Sequence, residues 1–142
     1  MSQKKELTIE ALTENLQAVL DFVDAELDAV SCPVQMKNPL DLAVEELYLN
    51  ISTYSYDTEI GTATVRIEVE EDPIRVVLTF VDQGIPFDPL AKPDPTFEEA
   101  IEDRPIGGLG IFMVKNSMDE VHYEYRDGQN ILTLRKSMET VF

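Results

Sequence analysis

The stretch Ile74-Arg-Val-Val-Leu-Thr-Phe-Val-Asp-Gln-Gly-Ile-Pro-Phe-Asp-Pro89 reads as one strand that runs into a turn. From Ile74 to Asp82 it is almost continuously apolar, the pattern of a central strand. Asp82 ends it, and Gly84 lets the following backbone approach another group closely. Just upstream, Ala63, Val65, Ile67 and Val69 alternate with Thr64, Arg66 and Glu68. That period predicts a half-buried strand over Thr62–Glu70, joined to the first by the turn Glu71-Asp72-Pro73.

Downstream, residues 83–106 hold five of the eight prolines and the acidic clusters Glu98-Glu99 and Glu102-Asp103. A loop of that length in a compact domain is usually a lid or a binding loop. Leu109 to Met118 predicts a helix. Val121–Tyr125 and Asn130–Lys136 predict a hairpin across Asp127-Gly128, a type I′ turn pair. Upstream, Lys5 to Ala11 predicts a short strand, and Thr13 is a candidate N-cap. A helix follows, with Leu16, Val19, Leu20, Val23, Leu27 and Val30 at helical spacing. Asn38-Pro39 reads as a cap and first-turn proline. The helix it opens runs to about Tyr54 on a buried stripe of Leu40, Ala43, Val44, Leu47 and Ile51. The order β-α-α-β-β-loop-α-β-β predicts an α+β two-layer sandwich. Its sheet is expected to be mixed and mainly antiparallel, with helices on one face, in a single domain over residues 1–142.

Charge sets bounds on partners. Eleven Lys and Arg stand against 28 Asp and Glu, a net charge of −17. Such a chain is repelled by nucleic-acid backbones and anionic membranes, so neither is an expected partner. A protein with basic patches suits it better, although solubility alone also explains the charge. No stretch reaches the ~20 apolar residues that span a bilayer, and the polar N-terminus has no signal-peptide pattern. Cys32, the one cysteine, has no internal disulfide partner. A cytoplasmic setting is expected. Cys32 and His122, the latter in a strand pattern, are assigned no chemistry.

Three segments carry candidate chemistry. Glu46-Leu-Tyr-Leu-Asn50 places a carboxylate and a carboxamide one helical turn apart, at the edge of the buried stripe. The carboxamide oxygen suits Mg²⁺, and the carboxylate can orient or deprotonate a nucleophile. A solvated helix face is the ordinary alternative, and Glu45 competes with Glu46 for the role. Asp82, at the end of a buried strand, can accept a hydrogen bond from an exocyclic amine, which favours adenine over guanine. A plain Asp-x-Gly turn is its alternative. Ile106-Gly-Gly-Leu-Gly-Ile opens a helix and offers unpaired N–H groups to phosphate, or is merely a hinge. It lacks the Lys of a Walker A loop and the preceding strand of a dinucleotide fingerprint.

Taken together in this order, the segments resemble the GHKL, or Bergerat-fold, ATPases, and more narrowly the bacterial anti-sigma-factor serine/threonine kinases. Glu46 to Tyr56 resembles the family's N-box. Asp82 to Pro89 resembles its first glycine box, including the Pro-Phe-Asp-Pro tail. Gly107 to Val121, ending in Met-Asp-Glu-Val, resembles its second. The resemblance implies ATP and Mg²⁺ as cofactors, with Glu46 as general base and Asn50 as the Mg²⁺ ligand. It implies Asp82 on the adenine amino group and Gly84 lining the base pocket. Gly107, Gly108, Leu109 and Gly110 would wrap the phosphates and Arg104 would reach the γ-phosphate; Tyr54, where this chain leaves the family pattern, could still reach a phosphate through its hydroxyl. Residues 83–106 would be the ATP lid. The implied reaction moves the γ-phosphoryl group of ATP to a serine of an anti-anti-sigma protein. A sigma factor and a second copy of the chain are further partners the resemblance suggests. The chain departs from the family pattern at Tyr54-Ser55, where many relatives carry His then Ala or Gly, and at Ile106, where a glycine is usual. A nucleotide-binding module that holds a partner without phosphorylating it is therefore the alternative.

Overall fold

A computed structural model describes residues 3–56, 60–71, 73–91 and 108–137 of the chain. The strand that opened the reading, β3 (Arg75–Asp82), is the middle of a sheet. Val76, Leu78 and Phe80 turn inward from it and are buried. It pairs on one side with β2 (Thr62–Glu70), whose inward residues Ala63, Val65, Ile67 and Val69 are also buried. The predicted alternation is thus realised residue for residue. Among the described residues five strands form one sheet, completed by β1 (Gln3–Glu10), β4 (Glu120–Arg126) and β5 (Gln129–Ser137). Their order is β1-β2-β3-β5-β4 and every pairing is antiparallel. Asp127 and Gly128 both take positive φ, 54° and 77°, as a type I′ hairpin requires.

Among the described residues three helices cover one face: α1 (Leu16–Ala29), α2 (Val34–Asn50) and α3 (Gly108–Ser117). Val19, Val23 and Leu27 of α1 join Met36, Leu40, Ala43, Val44 and Leu47 of α2 in the layer that meets the sheet. Each such side chain contributes about 1.5–3 kcal/mol by leaving water. Tyr48 is fully buried there, and its hydroxyl donates to the carbonyl of Leu12 at 2.7 Å. That bond ties the middle of the sandwich to the end of β1. No helix among the described residues is long and apolar enough to cross a membrane.

Two local expectations differ from the structure. Asn38-Pro39 does not open α2. The helix starts five residues earlier, at Val34, with extended Pro33 as its cap, and Pro39 lies inside it. Pro39 leaves the carbonyl of Gln35 without its helical donor, and Gln35 is exposed, so water can take the bond. Thr13 begins a 3-10 turn rather than capping α1. Its hydroxyl instead meets that of Ser52 at 3.2 Å. At its other end α2 passes into a π-helical turn, Ile51–Ser55, a distortion that often marks functional segments.

Candidate functional site

The C-terminal half of α2 lies between the two glycine-rich segments. Leu47 and Ile51 are buried in the core, which leaves Glu46 and Asn50 half-buried on the same side of the helix, one turn apart. Glu45 faces solvent. The choice between the two glutamates is made by packing: Glu46 lies against Gly110 in the first turn of α3. A Cβ on Gly110 would come within 2.4 Å of the Glu46 carboxylate. Only a glycine allows this approach.

Asn50 faces the other way along the site. It lines a cavity with Asp82, Ser55, Phe87, Tyr123 and Asn130, closed at its base by Leu47 and Phe80. The cavity is about 30 Å³, room for a water or two rather than a purine, so a base enters only as lining side chains give way. Phe87 is one of these, and the ring of Tyr54 stacks on it with centroids 5.3 Å apart.

A polar network holds the cavity's carboxylate. Asp82 is 3% exposed. Its Oδ1 accepts from the Gly84 N–H and from the side-chain amide of Asn130, each at 2.9 Å. The same amide donates to the Ile85 carbonyl at 2.8 Å. Asn130 Oδ1 accepts the Phe87 N–H at 3.0 Å and the Tyr123 hydroxyl. Asn130 thus uses both donors and both lone pairs, the full capacity of a carboxamide. Burial, with the charges of Asp88 and Asp82 nearby, raises the Tyr123 phenol above its usual range, which keeps it an O–H donor. Among the described residues the side-chain bonds on Asp82 fall on Oδ1, which leaves Oδ2 for a donor in the cavity.

Gly84 braces this loop. A Cβ there would meet the Ser55 carbonyl oxygen at 2.1 Å, and the next residue, Ile85, donates its N–H to that same oxygen at 2.9 Å. The π-helical turn brings Ser55 into reach. Tyr56 adds a second tie, its hydroxyl donating to Thr62 O at 2.6 Å and accepting the Gln83 N–H at 2.9 Å.

Of the residues expected from sequence, Glu46 and Gly110 meet, and Asn50 and Asp82 share the cavity. Gly84 lies at the cavity's loop and Tyr54 against Phe87. Gly108 and Leu109 fall in the first turn of α3, with unpaired N–H groups characteristic of a helix start. Arg104, Ile106 and Gly107, with most of the expected lid, lie outside the described residues. Asn130, Tyr123 and Ser55 were not expected. The signal for Asn130 was a polar residue on the inward face of a strand whose next inward positions are Leu132 and Leu134.

These residues fit a magnesium nucleotide. Asp82 offers a buried acceptor for an amine, and the turn containing Gly110 offers N–H groups beside Glu46. Among the described residues no group of three or more His, Cys, Asp or Glu side chains is placed to hold a metal. Mg²⁺ takes few protein ligands and keeps water and phosphate oxygens, and the Asn50 carboxamide oxygen would be one such ligand.

Comparison with known proteins identifies the family. The histidine kinase-like ATPase domain family matches residues 9–136. The chain belongs to that family. Among its similar relatives is the serine/threonine-protein kinase BtrW of Bordetella bronchiseptica, 27% identical over 100 residues, 70% of each chain. The serine-protein kinase RsbW of Bacillus licheniformis is 32% identical over 102 residues, 65% of this chain and 60% of that one. The RsbW of Bacillus cereus strain B4264 is 25% identical over 97 residues, 66% of this chain and 59% of that one. The matched segment thus spans about three-fifths of the RsbW proteins. A crystal structure of the RsbU and RsbW domains of Rv1364c from Mycobacterium tuberculosis shares the fold. It superposes with a TM-score of 0.64 over 99% of this chain and 34% of that one, at 14% identity. The histidine kinase-like sandwich, and relatives that are serine kinases, are what the three motifs led one to expect.

Proposed function

We propose that this chain is an ATP-dependent serine/threonine protein kinase of the anti-sigma-factor type. Its substrate would be a serine on an anti-anti-sigma-like protein, and a sigma factor would be a second binding partner. One observation carries the reading. A single turn of α2 puts Glu46 against the second glycine segment and Asn50 in the cavity of the first, so one rigid element spans the two halves of the site. Serine kinases among the relatives support it.

In this reading Asp82 receives the adenine amine and Asn130 holds Asp82 in place. Asn50 presents its carbonyl oxygen to Mg²⁺, which neutralises phosphate charge when bound. Gly108 and Gly110 bring backbone N–H groups to the phosphates, and Arg104 and Tyr54 stand as further phosphate contacts. Glu46 accepts the proton of the serine hydroxyl as it attacks. Phosphoryl transfer relies on positioning and charge neutralisation more than on covalent chemistry, so this short set of groups is sufficient.

Calorimetry with ATP, with and without Mg²⁺, tests the pocket in the wild type and in Asn50→Ala. Magnesium-dependent binding that the substitution weakens is expected; equal binding in both proteins removes Asn50 from the site. Glu46→Gln should then retain ATP and lose transfer. The second reading, a module that binds nucleotide without transferring it, rests on the departures from the family pattern at Tyr54 and Ile106. It predicts ATP binding with no transfer by the wild type.

A further inference from the structure

A groove of about 280 Å³ runs between α2 and α3 and leads to the candidate site. Its floor is Ala43 and Val114, both buried. Its walls include Leu42 and Met113, which are 54% and 51% exposed. Large apolar side chains left in water on both sides of one groove mark an interaction surface more than chance exposure does. Glu46 and Gly110 also line the groove, so it is continuous with the place where transfer would occur.

We infer that this groove docks the phosphoacceptor segment of the partner protein, one apolar side chain of the segment filling the space between Leu42 and Met113. The inference rests on the kinase reading and adds the chemistry of the substrate. Exposed Glu45 and half-buried Glu46 both line the groove, and the chain carries a net charge of −17. A segment with Lys or Arg around the anchor complements that field, whereas an acidic one is repelled. Leu42 and Glu46 are four residues apart on α2, about 6 Å along the axis at the α-helical rise. The acceptor hydroxyl therefore lies about 6 Å from the anchor. That is two residues away in an extended segment, or four in a helical one.

Two fluorescent peptides of equal charge provide the test. Each is short, carries Lys and Arg at both ends, and holds a serine at its centre. One has leucine two residues before the serine and the other has glycine there. Anisotropy is read with the wild type and with a charge-neutral double variant, Leu42→Asn with Met113→Gln, both in the presence of Mg²⁺ and a non-hydrolysable ATP analogue. The leucine peptide should bind the wild type about tenfold more tightly than the glycine peptide, the effect of burying one such side chain. The double variant should bind both alike. Equal binding to the wild type, or a leucine preference that survives in the variant, overturns the inference. So does a wild-type dimer that the double substitution converts to monomers in the absence of any leucine preference, because a second copy would then own the groove. Calorimetry with ATP on the same two proteins judges the kinase reading separately. Absent ATP binding sinks that reading, whereas a lost leucine preference with ATP binding intact sinks only the docking assignment. Circular dichroism of the variant confirms that both substitutions, at exposed positions, leave the fold unchanged.

Discussion

The carboxylate of Glu46 lies so close to the Cα of Gly110 that a methyl group there would come within 2.4 Å of it. The crowding atoms are the far end of a flexible side chain, so Gly110→Ala is accommodated by swinging Glu46 aside. Alanine is also the better helix former by about 1 kcal/mol. The variant should therefore unfold at the same or slightly higher urea concentration; on the proposed kinase reading, with Glu46 as base, transfer falls by about 10²-fold, the usual effect of a catalytic group displaced by an ångström or so. A normal transfer rate in a correctly folded Gly110→Ala protein would show that the contact has no bearing on chemistry.

Asn130→Ala tests the network behind Asp82. It deprives Asp82 Oδ1, the Ile85 carbonyl, the Phe87 N–H and the Tyr123 hydroxyl of one partner each. Leaving buried polar groups unpaired costs about 1–3 kcal/mol apiece before relaxation. Water admitted by the truncation recovers part, so a net loss of about 2–4 kcal/mol is expected in urea melts. ATP affinity should drop with it, because Asp82 is no longer fixed. Retained ATP affinity in calorimetry would mean that Gly84 alone orients the carboxylate.

The contrast between Asn130 and its surroundings shows what sequence can and cannot tell. The alternation in β2, the Asp127-Gly128 turn and the stripe of α2 are legible because each is a local pattern. The role of Asn130 depends on the β3–β5 register that sets it opposite Asp82, 48 residues away. Only the misplaced polarity on an inward face hinted at it. Glu45 and Glu46 were equivalent for the same reason: both flank the stripe, and contact with another helix separates them. Pro39 misled because proline at a first turn is the common case. Here an exposed carbonyl lets it sit deeper in the helix.

Gly84→Ala addresses a different constraint. The obstructing atom is a backbone oxygen, Ser55 O, at 2.1 Å from the new Cβ, and no rotamer can relieve that. The loop after β3 must move away from the π-helical turn and give up the Ile85 N–H bond to the same oxygen. A destabilisation of about 2 kcal/mol and weaker nucleotide binding are expected. Unchanged urea midpoint and ATP affinity would show that the loop shifts at no cost.

Away from the site, Asp24 on α1 and Asp41 on α2 each have a buried Oδ1 with no hydrogen-bond donor among the described residues. Burial above all, then the Asp24 carboxyl, pushes the Asp41 pKa from 3.8 up to about 7; Asp28 adds to this and Lys37 opposes it. The folded state thus binds a proton that the unfolded chain has released. By linkage, this group's contribution to stability is fully present below about pH 4. It is lost as pH rises through the folded value near 7. Asn at this position supplies an N–H donor for the Asp24 oxygen and cannot ionise. Asp41→Asn should therefore match the wild type near pH 4 and exceed it by an amount that grows up to about pH 7 and then levels. Allowing for solvent screening of a partly exposed group, that plateau is about 1 kcal/mol. Urea melts of the two proteins across pH 5 to 8 measure it. A difference that stays constant over that range would mean that Asp41 is ionised in the folded protein throughout.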